Sequence, residues 1–157
     1  MPRGVKKGTV RGSYKRRERE NKYVCSCSFG KDSLATLLLA IENGEPLDAV
    51  VYVEVMYDSA RGISGENPEH IKWINEVAKP KLRELGVEVI HLRSDEDFVS
   101  QFNKKIISGK HEGMLRGFPI ARTCCIQREC KLKPIRQFYK DSFFRGGMMF
   151  VNMSALL

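Results

Sequence analysis

Apolar and polar positions along this chain switch repeatedly between a period of two and a period near 3.6. Residues 23–28 predict a strand, and 32–43 a helix with Leu34, Leu37, Leu38 and Ile41 on one face, closed by Gly44. Ala49 to Val55 is a nearly unbroken valine-rich run, the pattern of a strand covered on both faces. A second helix follows over 68–85, with Ile71, Ile74, Ala78, Leu82 and Leu85 spaced by three and four, Pro68 in its first turn and Gly86 beyond its end. Pro80 inside it predicts a kink or a break, because proline removes a ladder N–H and crowds the preceding turn. Residues 87–92 alternate as a third strand, and 95–107 predict a third helix with Phe98, Phe102 and Ile106 aligned and Ser94 or Asp95 as its cap. After a glycine-punctuated stretch, 108–123, a helix is expected over 129–139 with Leu132, Ile135 and Phe138 inward, and then a fourth strand over 148–153. This alternation predicts an α/β fold with a mostly parallel sheet, right-handed crossovers and flanking helices.

Charge divides the chain more sharply than hydropathy does. Of the net +8, residues 1–22 supply most, with nine Lys and Arg against Glu18 and Glu20, whereas 23–157 is nearly neutral. We read 1–22 as a basic flexible arm and 23–157 as one domain. Such an arm would either bind nucleic acid phosphates, with salt-dependent and sequence-independent affinity, or remain a solvated tail. No apolar run approaches the roughly 18–20 residues that span a bilayer, and the basic start has no secretory apolar stretch, so a cytoplasmic protein without a membrane partner is expected. Five cysteines make an odd count, and disulfides are not expected in that compartment. Cys25 and Cys27, two apart in a strand, share a face and are expected to pack as small buried residues.

The densest chemistry lies where the first strand should end, in CSCSFGKDSL, residues 25–34. In Rossmann-like sheets of this kind, ligands bind outside the carboxyl ends of the strands. A helix that starts there presents unpaired N–H groups and the positive end of its dipole, so an anion is the expected guest. Ser28 and Ser33 add hydroxyl donors and Lys31 adds a charge. Gly30 allows close backbone approach or a positive φ, and Asp32 either caps backbone donors or orients a metal-bound phosphate, which would bring Mg²⁺. A plain cap joining strand to helix is the alternative. Neither G-x-x-x-x-G-K-[ST] nor G-x-G-x-x-G is present.

SFGKDS resembles the S-G-G-x-D-S pyrophosphate loop of the adenine nucleotide α-hydrolase superfamily, with Phe29 in place of the first glycine. With VEVMYDSARGISGENPEH, HLRSDEDF and GFPIARTCCIQRECKLKPI in the same order, residues 23–140 resemble the 3′-phosphoadenosine 5′-phosphosulfate (PAPS) reductase family, in particular its short phage-type members. The resemblance implies an adenine nucleotide, PAPS or ATP. Its phosphate or sulfate end would be held by Ser28, Phe29, Gly30, Lys31, Asp32 and Ser33, and its anion site completed by Arg122, Lys131 and Lys133, with Arg128 a further candidate. It implies sulfur-related nucleotide chemistry, by thiol attack on a nucleotide-linked sulfate or by cleavage between the α and β phosphates of ATP. A sulfurtransferase or ATP pyrophosphatase component of DNA or tRNA sulfur modification, and a noncatalytic nucleotide-binding module, are the alternative readings.

The family's reductive thiol lies on a C-terminal tail that this chain lacks, so Cys124 or Cys130 would have to serve as nucleophile, activated by Arg122, Arg128 or Lys131. Cys124, Cys125 and Cys130 also resemble the cluster-binding thiols of adenylylsulfate reductases. They would hold zinc or an iron–sulfur cluster only with a fourth ligand from Cys25, Cys27, His111 or a partner chain, and buried or free thiols are the simpler expectation. His70 is expected to cap or pack, Glu54 and Asp58 to be solvated loop carboxylates unless they meet ribose or Mg²⁺, and His111-Glu112 does not extend to H-E-x-x-H. The chain reads as C-terminally truncated relative to the family, with apolar Met149, Phe150 and Val151 on a sheet edge able to pair with a second copy.

Overall fold

The computed structural model describes residues 21–118, 124–146 and 149–152. The basic arm expected over 1–22 falls almost wholly outside them, as does Arg122. In chain order the elements are β1 (Asn21–Ser26), α1 (Lys31–Glu42), β2 (Ala49–Glu54), β3 (Met56–Asp58), β4 (Ile63–Ser64), α2 (Pro68–Trp73), α3 (Lys79–Glu84), β5 (Glu88–Arg93), α4 (Phe98–Asn103), α5 (Lys133–Gly146) and β6 (Met149–Asn152). Stretches of π-helix, Ile74–Ala78 and Gln127–Leu132, join α2 to α3 and lead into α5. The main sheet has the order β5-β2-β1-β6 and is parallel throughout, so the strand order reverses beside β1.

Both faces of the sheet are covered, and β2 explains why its sequence is apolar without alternation: all six of its residues are buried. On one face Cys25, Cys27, Val50 and Tyr52 meet Leu37 of α1 and Ile74, Ala78 and Leu82 of the second helical arm. On the other, Val24, Ala49 and Val51 pack with Ile90 and Leu92 against Ile135, Phe138 and Tyr139 of α5. Cys25 in β1 and Cys27 just after it pack on one face as expected.

Three expectations are corrected, and a fourth shifts in position. Leu38 is 48% exposed, because the buried stripe of α1 runs through Leu34, Leu37, Ala40 and Ile41 instead. The interruption expected at Pro80 falls in the π-turn 74–78, and α3 resumes with Pro80 in its first turn. The π-turn just before it re-registers the ladder, with the Lys79 N–H donating to Ile74 O, so that the missing proline N–H is accommodated. The third helix is short, 98–103, and neither Ser94 nor Asp95 caps it. Asp97 does, accepting from Ser100 N at 2.7 Å while Ser100 Oγ accepts from Asp97 N at 3.0 Å, and Ser94 Oγ is turned instead to Glu129 O. Beyond Asn103 the chain leaves the helix for a hairpin in which Lys105 pairs with Leu115, which removes Ile106 from the helical stripe. The last helix is longer than 129–139, with its π-helical start at Gln127 and its end at Gly146.

Asp97 also accepts from Ser59 N at 2.8 Å, tying the segment after β3 to the start of α4. Burial alone would raise its pKa, but the hydrogen bonds from Ser100 and Ser59 outweigh burial and hold the carboxyl below its ordinary value. Asp97→Ala is therefore expected to lower unfolding free energy by about 1–2 kcal/mol at pH 7 in urea titrations. With the folded pKa depressed, the carboxylate's contribution is complete above its unfolded value near about 4 and is lost as pH falls through the folded value. The stability gap between wild type and Asp97→Ala should close in acid; a gap that widens there contradicts this assignment.

Candidate functional site

The last ladder bond of β1 runs from Cys27 N to Val51 O at 2.9 Å, after which the chain turns at the carboxyl edge of the sheet beside the strand-order reversal. The turn is made by Phe29, the one non-glycine residue with positive φ among the described residues, at 57°. Of the two uses expected of Gly30, close backbone approach or a positive φ, the second is not taken up: it is extended, at φ −71° and ψ 164°. Phe29 is held in place by its ring, which is 4% exposed and stands edge-on to Tyr52 at 5.5 Å and to Trp73 at 6.4 Å. Its N–H points to Cys27 Sγ at 3.3 Å, and its carbonyl faces His70 Nε2 at 3.2 Å. His70, expected only to cap or pack, thus secures the backbone of the turn.

With the apex fixed below, the polar groups stand above it. Ser28, Gly30, Lys31 and Asp32 are exposed and Ser33 is half-buried. The Ser28 and Ser33 hydroxyls lie 3.1 Å apart, Gly30 N donates to Ser28 Oγ at 3.4 Å and Ser33 Oγ donates to Gly30 O at 3.0 Å. Gly30 is the N-cap of α1 and offers no side-chain cap, so the N–H groups of the first turn, from Lys31 to Ser33, face outward. A Cβ added at Gly30 would meet only Ser28 Oγ, at 3.4 Å. Nothing in the fold itself requires glycine there; what its absent side chain leaves open is access to the N–H groups. Asp32 does not cap the helix, and its carboxylate has no partner among the described residues.

The other expected groups are not gathered at this loop. Lys131 is half-buried and Lys133 exposed, 3.9 Å from Glu129, and neither makes a hydrogen bond or ion pair with 28–33. Arg128 pairs with Glu129 at 2.8 Å. Cys130 is fully buried, and burial, followed by Glu96 and Asp97, pushes its thiol up to about 11, the opposite of nucleophile activation. Cys125 is also buried, and half-buried Cys124 accepts from Gln127 N at 3.4 Å. The described residues contain no group of three or more His, Cys, Asp or Glu placed to hold a metal, so the three cysteines are not assembled as a ligand set.

Glu54 departs most from expectation. At the end of β2 it is 2% exposed, and its Oε2 accepts from Arg93 Nη2 at 2.7 Å and from His91 Nε2 at 2.9 Å. Burial would raise its pKa, but hydrogen bonds from Ser64 and Arg93 and the charges of Arg93 and His91 bring it below the ordinary value. His91 is pushed down, first by burial and then by Lys79, whose Nζ lies 3.4 Å from His91 Nδ1 and donates to Asn75 Oδ1 at 2.7 Å. With the Glu54 carboxylate, an acceptor, at Nε2, the geometry calls for a proton on that nitrogen. The parallel pairing of β2 with β5 sets Glu54 directly opposite Arg93, a partner that the sequence alone does not point to.

The sequence matches the family described as phosphoadenosine phosphosulfate reductase domain over residues 22–148. No match was found among curated proteins or among solved structures.

The geometry of Phe29 sets an unusual order of stabilities. Removing a buried aromatic ring costs about 3–5 kcal/mol, and relieving a left-handed residue returns about 1–2 kcal/mol. Phe29→Gly should therefore unfold more easily than wild type yet less easily than Phe29→Ala, the reverse of the usual Gly–Ala ranking. Urea midpoints for the three proteins check this, and an Ala variant more stable than the Gly variant would rule it out.

Proposed function

The chain belongs to the phosphoadenosine phosphosulfate reductase domain family, and on that premise we propose that the turn 28–33 binds the phosphate or sulfate end of an adenine nucleotide, PAPS or ATP. One observation carries the reading: hydroxyls, a lysine and outward N–H groups converge on an exposed turn whose apex is locked into the core by Phe29. A turn held in advance spends none of the ligand's binding energy on ordering itself. Lys31 supplies charge, Ser28 and Ser33 supply donors, and the first turn of α1 supplies the dipole.

The same groups would stabilise negative charge on the departing or transferred group, whether sulfate at the end of a nucleotide or pyrophosphate from ATP. Unpartnered Asp32 fits a role toward nucleotide-bound Mg²⁺, a hard cation that takes oxygen ligands and neutralises phosphate charge. Of the two thiols considered as nucleophiles, Cys124 is the accessible one, so a reductive reaction would draw on it or on an external thiol. The family's adenine-nucleotide sulfur chemistry supports this assignment at the level of the nucleotide.

Calorimetry and thermal shift with ATP, adenylylsulfate, PAPS and adenosine 3′,5′-bisphosphate provide the test. At least one is expected to bind, and Lys31→Ala to weaken it about tenfold or more, as for a lost charge-assisted hydrogen bond of about 1.5–3 kcal/mol. Ser33→Ala should have a smaller effect. If none of the four binds the unmutated chain, or Lys31→Ala binds equally well, the assignment fails.

A further inference from the structure

The loops after β2 and β5 carry a second feature on the carboxyl edge, distinct from the nucleotide turn. Tyr57 stacks on Phe98 at 5.5 Å with an interplanar angle of 17°, Phe98 lies 5.7 Å from Phe118, and Phe118 meets Phe102 edge-on at 5.0 Å. The ends of this row are open: Tyr57 is 47% and Phe118 64% exposed. Its supports are rigid, since Asp97 joins Ser59 N to α4, and the hairpin carrying Phe118 is closed by bonds from Arg116 N to Lys104 O and Gly117 N to Phe102 O, both at about the length of a helical hydrogen bond. Arg116 also donates to buried Gln101.

Cations dominate the hairpin beside the row, while exposed Asp95 and buried Asp97 precede Phe98. Residues 104–118 hold Lys104, Lys105, Lys110 and Arg116 against Glu112 alone, and Arg61, four residues after Tyr57, has its side chain 79% exposed. Of the neighbouring carboxylates, Asp58 is engaged by Arg61, and Glu96 by Lys104 and Gln101. Lys105 and Lys110 are exposed without an ion pair among the described residues. Exposed rings joined through a closed hairpin to unneutralised lysines suit unpaired bases and their phosphates, since any base presents a π face and a duplex hides it.

We propose that Tyr57 and Phe118, with Lys105 and Lys110, form a binding surface for single-stranded nucleic acid. The surface goes beyond the nucleotide reading and does not depend on it. Its ligand stacks on the aromatic row while its backbone is held by the lysines of the hairpin.

The probes are fluorescent 15-mers of oligo-dT and oligo-U, a duplex of matched length, and a 15-mer carrying 2-aminopurine, all with the full chain at low salt. The single strands are expected to bind, with 2-aminopurine quenched by stacking. Phe118→Leu, which keeps an apolar side chain, should weaken binding about fivefold or more and abolish quenching with an unchanged unfolding midpoint, whereas Phe118→Trp should retain both. Lys105→Ala and Lys110→Ala should each lower the slope of log affinity against log salt by about 0.7, while Phe118→Leu leaves that slope intact. Lys31→Ala should bind the oligonucleotides normally, which separates this surface from the nucleotide turn. The proposal is overturned if the single strands do not bind, if the duplex binds as tightly, or if Lys31→Ala removes binding. It is equally overturned if Phe118→Leu and Tyr57→Leu retain full affinity and quenching, which would leave residues 1–22 as the sole contact.

Discussion

The Phe29 ring sits between Tyr52 and Trp73 while its own backbone is held at φ 57°, a conformation that costs a residue with a Cβ about 1–2 kcal/mol. Burial of an aromatic side chain returns more than that, so the turn is a local strain sustained by the core beneath it. Everything above follows from this anchoring. The direction in which the chain leaves β1 sets the axis of α1, and with it where the outward N–H groups of Lys31 to Ser33 point. The Phe29 carbonyl reaches His70 and thereby couples the turn to α2. A glycine at position 29 would make the same turn without strain, but nothing would then tie its conformation to β2 and α2.

Polar groups at the carboxyl edge divide into two kinds. Those of the turn are exposed apart from half-buried Ser33, and their partners are one another and the thiol of Cys27. Those at the ends of β2 and β5 are engaged within the fold: buried Glu54 by Arg93 and His91, His91 by Lys79, buried Asp97 by Ser59 and Ser100. The second set fixes the loops that carry the aromatic row, and the first is left free to meet a ligand. The cysteines fall with the second set, since four of the five are buried and serve as packing.

Much of the fold was legible because the parallel strands and their helices have strong, regular periodicities, and β2 in particular has six consecutive buried positions. The turn at 28–33 was legible as a strand-to-helix junction for the same reason. What escaped was decided by partners distant in sequence. Glu54 looks like a loop carboxylate until Arg93 is placed opposite it, 39 residues away. The short α4 depends on Asp97 meeting Ser100 and Ser59, and on Lys105 finding Leu115, neither of which a helical period records. The inversion of roles at Phe29 and Gly30 was hidden because φ preference argues for glycine, and only the pocket formed by Tyr52 and Trp73 reverses it.

The π-turn over 74–78 has a consequence for what lengths this helical arm tolerates. A π-turn spreads one rotation over about one residue more than an α-helix needs, so each of its residues turns the chain by less than the ~100° of an α-helix. Deleting exposed Glu76 would therefore let the arm become regular α-helix while Leu82 kept its side of the arm. Pro80 would then be the point of conflict, because its ring would meet an uninterrupted ladder in place of the open register that the π-turn leaves before it. The extra residue thus serves the proline that follows it, and the arm could lose that residue without penalty only if Pro80 were replaced as well.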